Sequence, residues 1–135
     1  MALSITTSEK DKIVRKWLFI AGINGALAVL AGAFGAHALG DRPYASAFTT
    51  GAHYHLVHAV AMAVAALVAR GPARVFAQGA ALLFFIGIIL FSGSLYALTL
   101  TGVRIIGFVT PLGGLALIAG WVLLALAALK LEEPR

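Results

Sequence analysis

Long apolar stretches alternate with short polar segments along this chain. Residues 17–40 and 43–69 carry no formal charge, and residues 75–129 carry only one, that of Arg104. About 20 apolar residues of α-helix cross a bilayer core, so the first stretch predicts a transmembrane helix. The alternative, a signal peptide cleaved at Ala36-His37-Ala38, is disfavoured because its apolar region would normally span only about 7–15 residues.

The last apolar stretch must fold back on itself. A single helix over residues 75–129 would be about 82 Å long at 1.5 Å per residue. A turn at residues 100–104 divides it and places Arg104 at an interface, whereas burial at mid-membrane would cost about 2.5–3.5 kcal/mol. The sequence therefore predicts an all-α integral membrane bundle of four transmembrane helices, at about 17–39, 46–69, 75–98 and 106–129.

Polar segments flank this predicted domain of residues 17–129. A basic lead-in covers residues 1–16, and a polar tail covers residues 130–135. Ser8 and Asp11 have the spacing of a helix N-terminal cap. The lead-in is interpreted either as a membrane-surface anchor or as a solvated entry into the first helix.

The basic residues predict the orientation of the chain. Four lie in the lead-in, two at the second turn and two in the tail, whereas the first and third turns carry one each. Lys and Arg mark the cytoplasmic side of a membrane protein. Both termini are therefore predicted to be cytoplasmic, which requires an even number of spans.

Composition narrows the function classes. Charged residues make up 11% of the chain and hydrophobic residues 61%, against roughly 25% charged residues in ordinary globular proteins. The net charge of +5 lies at segment ends, which favours a bilayer partner and not nucleic acid. The absence of cysteine excludes disulfides and thiolate metal sites. No P-loop, intramembrane acid or Ser-His-Asp set is visible, so we expect a protein that is not an enzyme.

Small residues recur at helical spacing and predict close helix packing. On the first helix they are Ala28, Gly32 and Ala36, and on the fourth Ala116 and Gly120. Packing within the bundle is favoured over a homo-oligomer face, because three neighbouring helices are already present.

Histidines are the ionisable residues predicted to lie in the membrane, and such residues are candidates for function. His55 and His58 share a helix face, His37 lies at a similar depth, and His53 points away from His55. Hydroxyl groups at a similar depth form a predicted polar cluster: Ser92, Ser94, Tyr96 and Thr110.

Three interpretations of the histidines remain open. In the structural one, favoured here, the imidazoles hydrogen-bond to serines, Tyr96 or free carbonyls and hold helices together; no cofactor is then predicted. In the second, His37, His55 and His58 bind a transition metal or haem. In the third, they handle protons or substrate, as in a small oligomeric transporter.

Four ordered motifs resemble the YgdD-like, or transmembrane protein 256-like, family of small multi-pass membrane proteins. They begin at Gly32 (GAFGAHAL), Tyr54 (YHLVH), Phe91 (FSGSLY) and Thr110 (TPLGG), and the likeness covers about residues 17–129. The resemblance implies a multi-pass membrane protein, located in the inner membrane in bacteria. It implies no activity, because the family is defined by a domain of unknown function. The expected role is an accessory or structural protein that contacts other membrane proteins or forms a homo-oligomer.

Overall fold

The computed structural model describes residues 7–132, which form five α-helices joined by short turns. The helices are α1 (Thr7–His37), α2 (Ala45–Val68), α3 (Arg74–Gly87), α4 (Gly93–Thr101) and α5 (Thr110–Ala128). Short 3-10 segments, Gly71–Ala73 and Arg104–Val109, precede α3 and α5. A π-helical turn, Ile88–Ser92, joins α3 to α4 without a break.

Four helical segments in this part of the chain are long and apolar enough to cross a membrane. They are α1, α2, a third span (Gly71–Thr101) and a fourth span (Arg104–Ala128). The predicted all-α bundle of four transmembrane helices is thereby confirmed.

The helix of the first span extends beyond the predicted apolar stretch of residues 17–39. The described residues are helical from Thr7 to His37, so Ser8 lies within the helix and not at the non-helical cap position predicted for it. Ten residues of polar helix precede Trp17, and the described helix is about 46 Å long at 1.5 Å per residue. Since a hydrocarbon core is about 30 Å thick, the charged first turns extend beyond it. Residues 1–6 and 133–135, which include parts of the predicted lead-in and tail, lie outside the described residues.

The fourth span begins as a 3-10 segment, which places Pro111 in the first turn of the helix that follows. Inside a helix from residue 106, Pro111 would leave the Gly107 carbonyl without its usual donor. In the structure Pro111 lies in the first turn of α5, where a missing N–H costs little. The Gly107 carbonyl instead accepts from the Thr110 N–H.

The second span occupies the centre of the bundle. Half of the residues in its 18-residue apolar segment are buried, against 17% in the corresponding segment of α1. α1 packs mainly along α2. The core between the spans is built from small residues around a few large ones, including Met62, Phe84 and Leu117.

Glycines let the third and fourth spans approach closely. A Cβ added at Gly113 would lie 2.3 Å from the Phe91 backbone nitrogen, in the π-helical turn. At Gly120 it would lie 2.7 Å from the Phe84 ring, and at Gly87 it would lie 2.3 Å from Leu117. A larger residue at Gly113 would require the backbones to move apart, whereas at Gly120 or Gly87 the neighbouring side chain would have to shift.

The two turns at one end of the bundle are joined through Tyr44. Its backbone has a left-handed conformation, with φ of 65°, which is uncommon for a residue other than glycine. The Thr99 hydroxyl donates to the Tyr44 carbonyl (2.8 Å), and the Arg104 Nε donates to the Tyr44 hydroxyl (2.9 Å). Arg104 therefore lies at the end of a span, as predicted.

The other end brings together the start of α1, the second turn and the end of α5. A cluster of buried alanines closes it, formed by Ala69, Ala73, Ala77 and Ala127, with Ile13 packed against them. The structure thus groups the segments that carry most of the basic residues at one end of the bundle.

Candidate functional site

A chain of hydrogen bonds connects α1, α2 and the third span through His55. The ring Nδ1 of His55 lies 3.0 Å from the Tyr96 hydroxyl, and its Nε2 lies 3.2 Å from Asn24 Oδ1. Asn24 Nδ2 in turn donates to the Ile20 carbonyl on its own helix, at 2.9 Å. His55 and Asn24 are both buried, at 6% and 8% exposed.

The partners of His55 fix the direction of each bond. Because Asn24 uses its amide nitrogen on a carbonyl, its Oδ1 faces the imidazole and can only accept. The Nε2–H of His55 must therefore donate to it. In the neutral ring Nδ1 is then an acceptor, so the Tyr96 hydroxyl donates its proton to His55.

His58 forms a second, separate connection, between α2 and α5. The Trp121 Nε1–H donates to His58 Nε2 (3.0 Å), and His58 Nδ1 lies 2.7 Å from the Tyr54 carbonyl one turn earlier. Since Trp121 can only donate, Nδ1 carries the proton of the neutral ring. The rings of His58, Phe84 and Trp121 pack against one another at centroid distances of 5.2–5.9 Å.

The hydroxyl groups of the third span point to two different neighbours. Ser92 Oγ donates to the Gly51 carbonyl of α2 at 2.7 Å. Ser94 Oγ lies 2.6 Å from the Thr110 hydroxyl at the start of α5, and it also bonds to the Phe91 carbonyl. The predicted polar cluster is therefore a set of pairwise contacts: Ser92 with α2, Ser94 with Thr110, and Tyr96 with His55.

The structure does not bring His37, His55 and His58 together. His37 is the exposed last residue of α1, and His53 is exposed on α2. Among residues 7–132, no three His, Asp or Glu side chains are grouped closely enough to hold a metal ion. A metal at His55 or His58 would also have to displace Tyr96 or Trp121 from the acceptor nitrogen. The arrangement agrees with the structural interpretation and lends no support to the metal one.

Of the predicted packing residues, Ala28 and Gly120 lie at helix contacts. Ala28 is 2% exposed, and Gly120 faces the Phe84 ring. Ala116 is half-buried, whereas Gly32 and Ala36 are exposed, with open space where a Cβ would stand at Gly32. On this part of α1 the glycine that approaches α2 is Gly35, where a Cβ would lie 3.1 Å from the Phe48 ring.

Sequence reasoning missed two side chains on which these connections depend, Asn24 and Trp121. An uncharged amide inside a 24-residue apolar stretch was the available signal for Asn24, since polar side chains within the membrane form hydrogen bonds between helices. Trp121 carried no such signal, because a tryptophan in an apolar helix is usually interpreted as core or as an interface anchor. Its indole N–H is identified as a hydrogen-bond donor to His58 only once the fold places the two side chains together.

Comparison with known proteins places these features in a family. Residues 31–114 match the family described as protein of unknown function DUF423. The chain is 43% identical to the UPF0382 membrane protein YwdK of Bacillus subtilis (strain 168) over 123 residues, which cover 87% of this chain and 98% of that protein. It is 36% identical to the UPF0382 inner membrane protein YgdD of Escherichia coli (strain K12), over 88% of this chain and 93% of that protein. No solved structure matches the chain. The chain therefore belongs to the DUF423 family of membrane proteins of unknown function, as its motifs indicated.

Proposed function

We propose that this chain is a non-enzymatic accessory protein of the inner membrane that docks against another integral membrane protein through one face of α1. The proposal rests on the observation that the polar side chain of α1 and most of its glycines face in different directions. Its polar side chain, Asn24, turns inward to His55, while most of its glycines turn outward. The inner-membrane location is supported by the relative in Escherichia coli, whose name describes it as an inner membrane protein.

The outward face of α1 consists of Gly22, Gly25, Val29, Gly32 and Ala36. At 100° per residue these positions fall within about 80° of one another. A Cβ at Gly22, Gly25 or Gly32 would have nothing within 4 Å. Glycine weakens a helix by about 1 kcal/mol relative to alanine, and contact with lipid does not offset this loss of helix stability. Small residues do allow close helix–helix contact in membranes, so we infer that a helix of another protein packs there.

The interior polar groups support a structural and not a catalytic role. Every fully buried side-chain nitrogen and oxygen in residues 7–132 has a hydrogen-bond partner. Those partners lie mostly on neighbouring spans or on the same helix, as with His58 and Trp121. Such contacts define how the four spans fit together, and the outward face is then held at a fixed angle.

We further infer that both termini are cytoplasmic. Among residues 7–132, seven of the nine basic residues belong to segments that contribute to one end of the bundle, the end closed by Ala73 and Ala127. The other two basic residues of this range, Arg42 and Arg104, lie in the segments at the opposite end. A seven-to-two ratio is the asymmetry that the positive-inside rule associates with a cytoplasmic end.

Exchange of Gly32 for leucine tests the proposed docking face. The tagged Gly32→Leu protein, purified from native membranes in mild detergent, should lose a stoichiometric membrane-protein partner that the wild type retains. Ala125→Leu is the control, because Ala125 is also an exposed small residue of a helix but lies on another span. A wild type that is monomeric, recovers no partner and turns over a substrate alone would overturn the proposal.

A homodimer is distinguished from a heteromeric contact with a single cysteine. Since the chain has no cysteine, Gly32→Cys introduces a unique thiol on the outward face. Oxidation of native membranes should leave the chain free of self-cross-links if another protein covers this face. Efficient formation of a disulfide-linked dimer would show instead that a second copy does.

A further inference from the structure

We propose that a groove beside His55 binds a membrane-dissolved phenol, whose hydroxyl donates a hydrogen bond to Tyr96. The groove lies between α1 and the third span, on the flank of α1 opposite to Val29 and Gly32. Its volume is about 560 Å³, and its lining includes Ile23, Leu27, Phe85, Ile89, Gly93 and Tyr96. Ligand pockets in proteins commonly have volumes of about 300–1,000 Å³.

The groove owes its shape to the π-helical turn. Ile88 and Ile89 of that turn line it, and Gly93 follows directly. A Cβ at Gly93 would have nothing within 4 Å, so the groove reaches the backbone of α4 at this point. Single π-helical turns inside α-helices occur frequently at functional sites, because they displace the following side chains from their regular positions.

Polar chemistry is concentrated at one part of the groove. Asn24, His55 and Tyr96 all contribute to its lining, and the rest is almost entirely apolar. An apolar lining with a few convergent polar groups is typical of small-molecule sites. The opening faces the region that lipid occupies around the bundle, so the ligand would enter from the bilayer and must itself be apolar.

The hydrogen-bond directions define what the ligand must offer. Tyr96 donates its only proton to His55, so its oxygen has a free lone pair and no free proton. Asn24 Oδ1 and both ring nitrogens of His55 are already paired. At Tyr96 a ligand carbonyl or ether would find no donor, whereas a ligand hydroxyl would extend the chain to Tyr96, His55 and Asn24. Consecutive bonds that point in one direction strengthen one another.

The apolar body of the ligand is matched by aromatic side chains. Phe85 and Tyr96 both line the groove, and ring pairs in offset or edge-to-face arrangements are favourable. A phenol combines such a ring with a hydroxyl that is a stronger donor than an aliphatic alcohol. This combination selects the phenol class over an acyl chain, which offers neither feature.

Binding to protein in lipid nanodiscs tests the proposal, with empty nanodiscs as the baseline for partitioning. The probes are 4-nonylphenol and its methyl ether, 4-nonylanisole, which differ only in the donor proton. We expect the wild type to bind the phenol roughly three- to tenfold more tightly, the effect of one net hydrogen bond. Equal affinities for the two probes would overturn the proposal.

Three variants locate the site. Tyr96→Phe should abolish the preference for the phenol, whereas Tyr54→Phe, outside this groove, should retain it. Gly93→Leu fills the groove without removing a hydrogen bond and should abolish binding of both probes. Because this variant keeps the bond between Tyr96 and His55, it tests the site independently of any instability of the Tyr96→Phe protein. A preference that persists in Tyr96→Phe, or binding that survives Gly93→Leu, would contradict the site. An equal preference of the wild type for 1-dodecanol over its methyl ether would contradict the assignment to phenols.

Discussion

Asn24 is the residue through which a hydrogen bond ties α1 to the rest of the bundle. Its side chain bonds to the buried His55 at 3.2 Å and to the Ile20 carbonyl at 2.9 Å. The contact matters because α1 is otherwise held mainly by small residues along α2. Without Asn24, the His55 Nε2–H would be left in apolar surroundings with no acceptor.

We therefore predict that Asn24→Ala destabilises the protein by about 1–3 kcal/mol, the usual effect of leaving a buried donor unsatisfied. Denaturant unfolding in detergent, followed by tryptophan fluorescence, measures the change. His53→Ala is the control, because His53 is exposed on α2 and its loss should leave the unfolding midpoint unchanged. Equal stability of wild type and Asn24→Ala would show that the bond to His55 contributes nothing.

Individual residues were predictable from the sequence to different degrees. The shared face of His55 and His58 followed from their i, i+3 spacing, and both are buried on α2. Spacing on one helix says nothing about partners on another, so Trp121 and Asn24 could not be assigned to them. The grouping of His37 with these two failed because equal depth does not bring side chains of different helices into contact.

At the scale of the helices, the weakest span in hydropathy is the most buried. The 18-residue apolar segment of α2 has a mean hydropathy of 1.4, the lowest among the four spans. Its histidines lower this value, yet His55 and His58 are buried and bond to other spans. A weak hydropathy signal is therefore expected for a central helix.

The π-helical turn and the close approach of α5 could not be predicted from the sequence. Both depend on backbone contacts between spans: Gly113 faces the Phe91 nitrogen. Apolar periodicity predicts that a helix exists, but it does not report an extra residue in one turn. It likewise does not report that the fourth span opens with the 3-10 segment Arg104–Val109, because this segment has a helix-like composition.

The contact at Gly113 gives a test with an adjacent control. A Cβ at Gly113 would lie 2.3 Å from a backbone atom of the third span, whereas the nearest atom to a Cβ at Gly114 lies at 3.8 Å. We predict that Gly113→Ala destabilises the bundle by about 1–3 kcal/mol, the usual effect of overpacking. Gly114→Ala should be neutral or stabilising, since alanine favours helix. Thermal unfolding of the two variants measures this difference. Similar melting temperatures would contradict the close contact at Gly113.

At the scale of the whole molecule, both ends of the bundle have a distinct composition. One end is closed by alanines and adjoins most of the basic residues, and the other is joined through Tyr44 and Arg104. We predict that reporter fusions after Ala73 and at Arg135 are cytoplasmic and that one after Asp41 is external. A cytoplasmic reporter after Asp41 would show that the orientation is reversed or that α1 does not cross the membrane.

The central claim is that the histidines inside the membrane hold spans together. The most direct measurement is metal content by elemental analysis together with thermal unfolding, on wild type, His55→Ala, His58→Ala and His37→Ala. We predict earlier melting for His55→Ala and His58→Ala, because each leaves a partner on another span unpaired. His37→Ala should melt like the wild type, since His37 is exposed, and no protein should contain stoichiometric metal. Stoichiometric transition metal in the wild type, lost in the His55 and His58 variants, would contradict the account.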